Sequence, residues 1–259
     1  MPLVTLTSDF GLRDPYVAEM RGAILSRCPE AQLVDVTHDV TPGDVQEASW
    51  VLARVWERFP PHTVHLAVVD PGVGSQRLPV AVHAAGRWFV GPDNGILGAV
   101  LGRGPVEAAF EIEAARLSGG PLSDTFHGRD LFAPAAACLA CGESGEKLGP
   151  AVDPERLVRP EAAVASRDGE TITGHVVHVD RFGNLITDIP TDWLPETPKA
   201  TIAGRAVEGI ERSYSAVAAG GLLLTRGSGG TLEISARGTS AAELLGVGRG
   251  EKVVVLGSQ

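Results

Sequence analysis

The sequence contains little cysteine. Its 259 residues include three cysteines, Cys28, Cys138 and Cys141. An odd and sparse set indicates a reducing compartment rather than a disulfide-rich secreted scaffold. Cys138 and Cys141 form a C-x-x-C in an Ala-rich apolar segment without a second pair or a nearby histidine. This context favours packing inside a helix over redox or metal chemistry.

The chain also lacks a basic excess and an apolar run long enough to span a membrane, and no signal peptide is expected. Lys and Arg total 22 against 32 Asp and Glu, a formal charge of −10. Nucleic acid is therefore not an expected partner, because phosphate binding needs a basic face. The longest apolar run, 131–141, contains Pro134 and is shorter than the roughly 18–20 residues of a membrane span. The first residues carry no basic region and reach Asp9 early, so we expect a cytoplasmic protein without a signal peptide or membrane association.

A length of 259 residues favours two domains. In residues 1–155 predicted strands alternate with helices, which is typical of an α/β domain with a mostly parallel central sheet. One helix is predicted to begin at Asp14-Pro15, with Asp14 as its N-cap. A second is predicted to begin at Thr41-Pro42 and to run to about Glu57, since these pairs combine a good N-cap with a proline in the first turn.

The composition then changes. Residues 156–170 lack hydrophobic periodicity and are predicted to form a linker. Residues 171–259 contain short strand-like runs separated by glycine-rich turns, with one short helix near 240–245. This pattern predicts a smaller, all-β, barrel-like C-terminal domain.

Four polar, glycine-flanked clusters lie at predicted strand ends in the first domain. In open α/β sheets the ligand crevice lies outside the carboxyl ends of the strands, so the clusters are expected to converge on one site. Taken singly, each is more typical of an ordinary turn, because Gly, Pro, Asn and Asp dominate turns for backbone reasons. The clusters span residues 7–11, 69–74, 91–95 and 125–130.

A metal-dependent hydrolase is one hypothesis, since carboxylates and imidazoles are common metal ligands. Against it, the sequence has no H-x-H or H-E-x-x-H motif. The close histidine pair, His175 and His178, lies on a predicted strand, where positions i and i+3 face opposite sides. The possible ligands would be Asp9, Asp70, Asp93, His127 and Asp130.

In the second domain, Asp180-Arg-Phe-Gly-Asn184 interrupts a strand-like run. Phe182 and Asn184 could place an aromatic face and an amide against a purine ring, which is a common way to hold a free base. A β-turn with a packed Phe182 is an equally good interpretation of this fragment alone.

The motifs become specific as an ordered set. In chain order they are Ser8-Asp9-Phe10-Gly11 with Asp14 and Tyr16, Asp70-Pro-Gly-Val-Gly74 with Arg77, Pro92-Asp93-Asn94-Gly95, Phe126-His127-Gly128-Arg129-Asp130, and Asp180 to Asn184. Over essentially the whole chain, this set resembles the S-adenosyl-L-methionine (SAM) hydroxide adenosyltransferases. These are SAM hydrolases that form adenosine and are related to the bacterial fluorinases and chlorinases.

The resemblance implies an N-terminal α/β domain, a C-terminal β-barrel and a homotrimer. Its active sites would lie between the N-terminal domain of one subunit and the C-terminal domain of its neighbour. It implies SAM as the substrate, with no cofactor and no metal. The implied reaction is an in-line attack of water or hydroxide on the ribose 5′ carbon, which releases adenosine and neutral methionine.

The resemblance also implies residue roles. Asp70, Arg77 and His127 correspond to the family's water-activating trio, in which Asp70 and His127 orient a water and accept its proton while Arg77 holds Asp70. Asp9 would hold the ribose hydroxyls. Asp14 and Asp180 would lie near the methionine ammonium, and Ser228 near the methionine carboxylate. Phe182 and Asn184 would hold the adenine, with Tyr214 as a second stacking partner. The remaining members of the implied substrate-binding set are Tyr16, Asn94, Phe126 and Glu233.

The chain departs from the related halogenases. They carry a hydroxyl-bearing Tyr-Ser pair at His127-Gly128, a Trp over the ribose in the segment 41–44, and an Arg at Gly229. The missing hydroxyl at Gly128 and the intact trio favour water over halide. A SAM-dependent halogenase is the close alternative, and a SAM- or adenosine-binding sensor with little catalysis is the alternative from another class.

Overall fold

The computed structural model of the chain describes residues 1–117, 122–159 and 164–257. The chain divides into two units, Met1–Pro160 and Glu161–Gln259. Part of the predicted linker, 160–163, lies outside the described residues. Another part, Ser166–Asp168, is a short strand rather than aperiodic chain. The predicted limits of the two domains stay a prediction.

Six strands of the first unit pair into one sheet: β1 (Leu3–Ser8), β2 (Gln32–Thr37), β3 (Val64–Val68), β4 (Pro79–Ala84), β5 (Arg87–Pro92) and β6 (Val106–Glu111). Their order is β2-β1-β3-β5-β4-β6. The first four in this order run parallel, and β4 pairs antiparallel with β5 and β6. The predicted α/β unit with a mostly parallel sheet is confirmed.

Helices cover both faces of this sheet. They are α1 (Tyr16–Arg27), α2 (Val45–Val55), α3 (Gly98–Leu101) and α4 (Ala133–Ala140). In and just after β3, Leu66 and Val68 pack with α1 and α4, whereas Ala67 and Val69 pack with α2 and α3. Successive side chains of a strand point to opposite faces, so a strand covered on both sides is continuously apolar. Within the described ranges, no helix is long and apolar enough to cross a membrane.

Both predicted helix starts are shifted. Helix α1 begins at Tyr16 with Pro15, not Asp14, in the N-cap position and with no side-chain cap. Helix α2 follows Asp44, whose carboxylate accepts a hydrogen bond from the Glu47 backbone N–H at 2.9 Å. Asp44 rather than Thr41 is therefore the cap, because only its side chain reaches the third residue of the helix. The sequence analysis also overlooked α3 and β6.

The cysteines overturn one expectation. Cys28 at the end of α1 and Cys141 at the end of α4 form a disulfide, with their Cα atoms 5.9 Å apart. Cys138 is a free, half-buried thiol, and burial raises its pKa. The prediction that the C-x-x-C serves helix packing is wrong for Cys141. The partner could not be found from local sequence, since it lies 113 residues away.

The second unit is an eight-stranded sheet: β7 (Ser166–Asp168), β8 (Thr171–Val179), β9 (Leu185–Pro190), β10 (Pro198–Ile202), β11 (Arg205–Glu208), β12 (Leu222–Arg226), β13 (Thr231–Ala236) and β14 (Lys252–Gly257). Its order is β11-β10-β14-β8-β9-β13-β12, with β7 on β8, and the ladders are antiparallel. A single bridge between Ile210 and Leu224 brings the two ends of the sheet together. The predicted all-β, barrel-like architecture is confirmed, and α5 (Ala241–Leu245) is its helix.

Candidate active site

The parallel strands place three of the four predicted clusters at one edge of the first sheet. The fourth, 125–130, does not follow a strand as predicted but leads into the helical turn Gly128–Phe132. Asp9 follows β1, His38 follows β2, Asp70 lies just beyond β3, and Asn94 lies just beyond β5. All four strands run in the same direction. This edge is where open α/β sheets form ligand crevices.

Asp70, Arg77 and His127 are in direct contact. Arg77 Nε lies 2.9 Å from both carboxylate oxygens of Asp70, and Nη2 also bonds to Oδ2. The same Nη2 lies 2.8 Å from Nδ1 of His127. The Arg77 and Asp70 side chains are only 9% and 6% exposed. The structure therefore joins Asp70 and Arg77, from the loop between β3 and β4, to His127 in one buried, charged cluster.

The cluster determines the protonation of His127. Burial, and secondly the Arg77 cation, lower the pKa of His127, while the carboxylates of Asp70, Asp130 and Asp124 partly oppose this. A guanidinium can only donate hydrogen bonds, so Nδ1 of His127 must accept. The neutral imidazole consequently carries its proton on Nε2.

Aromatic rings pack beside this cluster. Phe10, Tyr16 and Phe126 meet edge to face, with centroid distances of 5.2–6.0 Å. The π-helical turn Gly128–Phe132 leads from His127 into α4. A Cβ atom at Gly128 would lie 3.2 Å from the Met20 sulfur and 3.2–3.3 Å from the Phe126 and Phe10 rings. Glycine at this position therefore permits close packing directly behind His127.

The other predicted residues of the first unit differ in their surroundings. Asp9 Oδ2 accepts a hydrogen bond from the Gly43 backbone N–H at 2.8 Å. Asp14 is exposed, as is Tyr16 at 46%. Asn94 uses its amide to brace the backbone: Nδ2 donates to the Val69 carbonyl at 2.9 Å, and Oδ1 accepts from the Ile96 N–H at 3.2 Å. Asn94 thus fixes the chain directly before Asp70.

The residues considered as metal ligands do not converge. Asp93 accepts a hydrogen bond from the Val158 backbone N–H at 2.8 Å, and burial raises its pKa. Asp130 is held by Arg129 and by the Ser123 N–H. In the part of the chain that the structure describes, no three His, Cys, Asp or Glu side chains form a group that could hold a metal ion.

In the second unit, the loop 180–184 is a tight turn between β8 and β9. Asp180 Oδ1 accepts from the backbone N–H groups of Phe182 and Asn184, and Oδ2 accepts from Asn184 Nδ2, each at 2.9 Å. Gly183 has φ +79°, and a Cβ there would overlap Ser240. Phe182 at the tip is 77% exposed. The alternative of a packed Phe182 is therefore wrong, and the turn presents the ring to solvent.

The remaining residues of this unit lie along β13. Arg237, just past its end, donates to the carbonyls of Ser215 and Val217 at 3.4 and 2.8 Å. This places Tyr214 at the same end as the loop 180–184, since β13 pairs there with the start of β9. Ser228 lies in the turn between β12 and β13, at the opposite end of β13. Glu233 packs against Gly227, on the Ser228 side.

The sequence analysis missed a buried pair at the same edge. Ser8 Oγ lies 2.7 Å from His38 Nδ1, and both residues are buried. The sequence around His38 contains no recognisable motif, so it predicts no function for this histidine. The available signal was its place directly after β2, beside the end of β1.

Known proteins and family models match this sequence across both units. Residues 4–149 match the family model for the SAM hydroxide adenosyltransferase N-terminal domain, and residues 174–254 match that for the C-terminal domain. Proteins named (R)-S-adenosyl-L-methionine hydrolase are 39% identical in Salinispora tropica, over 98% of this chain and 97% of that protein, and 41% identical in Thermus thermophilus, over 98% and 99%.

A less similar enzyme and a solved structure also match this chain. A fluorinase of an Actinoplanes species is 29% identical over 73% of this chain and 72% of its own length. The crystal structure of an uncharacterized conserved protein from Thermotoga maritima has a TM-score of 0.91 at 33% identity, covering 98% of this chain and 100% of that one. The chain belongs to the SAM hydroxide adenosyltransferase family.

Proposed function

We propose that this protein hydrolyses SAM to adenosine and L-methionine. The observation that carries the proposal is the buried contact among Asp70, Arg77 and His127 at the carboxyl edge of the sheet. It occurs in a chain whose relatives, 39–41% identical over nearly their full length, are named as SAM hydrolases.

The reaction requires an oriented water. Its oxygen forms a bond to the ribose 5′ carbon while the bond from that carbon to the sulfonium sulfur breaks. The bonding electron pair stays on sulfur, so methionine leaves neutral and needs no general acid. The main requirement is a nucleophile held in line at about 3–3.5 Å. A rigid cluster of donors and acceptors meets this requirement.

The hydrogen bonds favour Asp70 as the proton acceptor. Neutral His127 carries hydrogen on Nε2 and directs its Nδ1 lone pair to Arg77, so Nε2 can orient a water as a donor but cannot take its proton. Asp70 Oδ2 accepts from both Nε and Nη2 of Arg77, whereas Oδ1 accepts from Nε and keeps a lone pair for the water. The Arg77 cation stabilises negative charge at this site, including hydroxide character on the water.

We assign the parts of the substrate to charged and aromatic side chains of the two units. We assign the ribose hydroxyls to Asp9, the methionine ammonium to Asp14 and Asp180, and the adenine to Phe182 and Tyr214. Asn184 would contribute its amide oxygen, since its N–H bonds to Asp180. Tyr16, Asn94, Phe126, Ser228 and Glu233 complete the proposed set, with Asn94 acting on Asp70 through the Val69 carbonyl.

The test is incubation of the purified protein with SAM, followed by chromatography. Adenosine and methionine should appear, and in ¹⁸O-labelled water the label should enter the adenosine 5′ hydroxyl. Asp70→Asn should lower turnover by about 10²-fold or more while SAM still binds. Failure to form adenosine under these conditions would exclude the proposal, and tight binding without turnover would indicate a sensor.

We further propose a homotrimer with shared sites. The support is that each unit exposes rings: Tyr16 in the first, at 46%, and Phe182 and Tyr214 in the second, at 77% and 47%. Light scattering should give three subunits. Mixing Asp70→Asn with Phe182→Ala subunits should restore activity that neither variant has alone, because some sites would then receive two intact halves.

Two outcomes would redirect the proposal. Halide-dependent formation of 5′-halo-5′-deoxyadenosine would indicate a halogenase, which the fluorinase relatives make worth testing. Loss of activity with a chelator would contradict metal- and cofactor-independent hydrolysis.

We also propose a cytoplasmic location. Counting free thiols on protein from fresh lysate tests it, because a reducing compartment should keep Cys28 and Cys141 as thiols rather than as a disulfide.

A further inference from the structure

The buried pair Ser8–His38 connects two loops at the active edge. Ser8 is 0% and His38 is 3% exposed, and Oγ and Nδ1 are 2.7 Å apart. His38 Nε2 lies 3.2 Å from an Asp35 oxygen, and Asp35 is in turn paired with Arg21. The Asp35 contact lacks hydrogen-bond geometry, and its charge alone favours hydrogen on Nε2. Ser8 Oγ also accepts from the Phe10 N–H at 3.4 Å, so its hydroxyl hydrogen is directed to Nδ1 of His38.

This order of groups resembles a nucleophilic triad, but the burial of Ser8 excludes that role. A serine with no exposed surface cannot reach a substrate carbon. The physical effect of the pair is instead mechanical. A buried hydrogen bond is costly to leave unmade, so it specifies one arrangement of the two chains that carry it.

The two loops that the pair connects also hold Asp9. The Gly11 N–H donates to the His38 carbonyl at 2.7 Å, and the Val40 N–H donates to the Ser8 carbonyl at 3.4 Å. The Gly43 N–H donates to Asp9 Oδ2 at 2.8 Å. Asp9 is therefore enclosed by bonds between the segment after β1 and the segment after β2, with Ser8–His38 as their buried anchor.

We propose that His38 is a positioning residue that, through Ser8 and the Gly11 backbone, directs the Asp9 carboxylate at the ribose hydroxyls of the substrate. The inference rests on the proposed function, in which Asp9 binds the ribose. It predicts that His38 variants lose recognition of the hydroxyls while the water-activating cluster keeps its chemistry.

A matched control exists on the neighbouring strand β3, where a second buried histidine bonds to a hydroxyl of β1. His65 is also buried, and its Nδ1 bonds to the hydroxyl of Thr5 in β1 at 2.8 Å. It lies within β3, away from the segments that enclose Asp9. His65→Leu and His38→Leu each remove one buried imidazole–hydroxyl bond, so general destabilisation should affect both.

The experiment measures the affinities of adenosine and 2′-deoxyadenosine by calorimetry. The wild type should prefer adenosine by at least about tenfold, as expected for a hydroxyl bonded to a carboxylate. Asp9→Asn, Ser8→Ala and His38→Leu should reduce this ratio to near one, whereas His65→Leu should keep it. His38→Asn, whose amide oxygen can replace Nδ1, should retain most of it. For SAM turnover, Ser8→Ala should raise KM about tenfold with kcat changed less than threefold.

The outcomes distinguish a failure of the positioning role of Ser8–His38 from a failure of the proposed function. An unchanged adenosine preference in folded Ser8→Ala overturns the positioning role of the pair and leaves the hydrolase proposal intact. An equal loss in His65→Leu also overturns it, since the effect would then be general. A wild-type protein that binds neither nucleoside nor SAM overturns the proposed function together with this inference.

Discussion

Arg77 Nη2 lies 2.8 Å from Nδ1 of His127, while the same guanidinium forks onto the carboxylate of Asp70. One cation thus fixes both the position of Asp70 and the tautomer of His127. The guanidinium also lies over the ring of Phe132, 5.5 Å from its centroid. The three residues act as one unit because removing Arg77 frees both of its partners.

The first prediction concerns the shape of the Arg77 group. Arg77→Lys keeps the charge but loses the planar fork, so it cannot hold Asp70 and His127 together. We expect kcat to fall by about 10²-fold, consistent with misplacement of the nucleophile. Steady-state kinetics with SAM measures this. Arg103→Lys, at a side chain that is 49% exposed, should leave kcat unchanged, and an active Arg77→Lys enzyme would show that charge alone suffices.

The second prediction concerns the pKa of His127. Burial and Arg77 lower it from the ordinary value of 6.5, so the neutral imidazole persists at pH values where an exposed histidine is already protonated. Turnover should therefore decline only below pH 6.5. NMR titration of the ring resonances should give a pKa below 6.5 in the wild type. Arg77→Gln should raise it, because the cation is removed and the Asp70 carboxylate remains. A wild-type pKa at or above 6.5 would contradict the lowered pKa and the neutral state of His127.

The third prediction compares two glycines that lie near each other in the fold. Gly128→Ala places a methyl group 3.2–3.3 Å from Met20, Phe126 and Phe10, so we expect a loss of about 1–2 kcal/mol in the free energy of unfolding. Gly22→Ala, in α1 with nothing within 4 Å, should stabilise by about 0.5–1 kcal/mol through helix propensity. Urea denaturation of the two variants checks the opposite signs. Equal effects would mean that the packing at Gly128 is not tight.

The fourth prediction concerns acid stability. Burial, with a smaller effect of Arg87, lowers the pKa of His65 to about 3, against 6.5 in the unfolded chain. The folded state favours the neutral imidazole, so its contribution is complete above pH 6.5 and is lost as the pH falls toward 3. The slope is at most about 1.4 kcal/mol per pH unit. Unfolding of the wild type and of His65→Leu between pH 7 and 4 should show a shallower dependence in the variant, whatever its absolute stability. Parallel curves would refute this.

Much of the architecture could be predicted from local pattern. The sequence predicts strands at the apolar runs 3–7 and 63–69 and a hairpin around Ala85-Gly86, because burial and backbone preference determine them locally, and the structure has β1, β3 and the β4–β5 hairpin there. The short α3 and β6 were missed because a few residues carry little periodicity. Helix starts shifted by a residue or more, since Asp14 and Thr41 are good caps in isolation, whereas in the structure it is Asp44 whose side chain meets an N–H group of its helix.

The sequence by itself determined the two-unit α/β plus β architecture and the ordered motifs that name the family, because these depend on hydrophobic periodicity, turn chemistry and residue identity along the chain. Only the tertiary structure decided how side chains meet. It joined Arg77 to His127 across 50 residues, paired Cys28 with Cys141, and anchored Ser8 to His38. It also used the Asn94 amide for the backbone before Asp70. These contacts follow from which strands and helices lie side by side, and sequence neighbours carry no record of that choice.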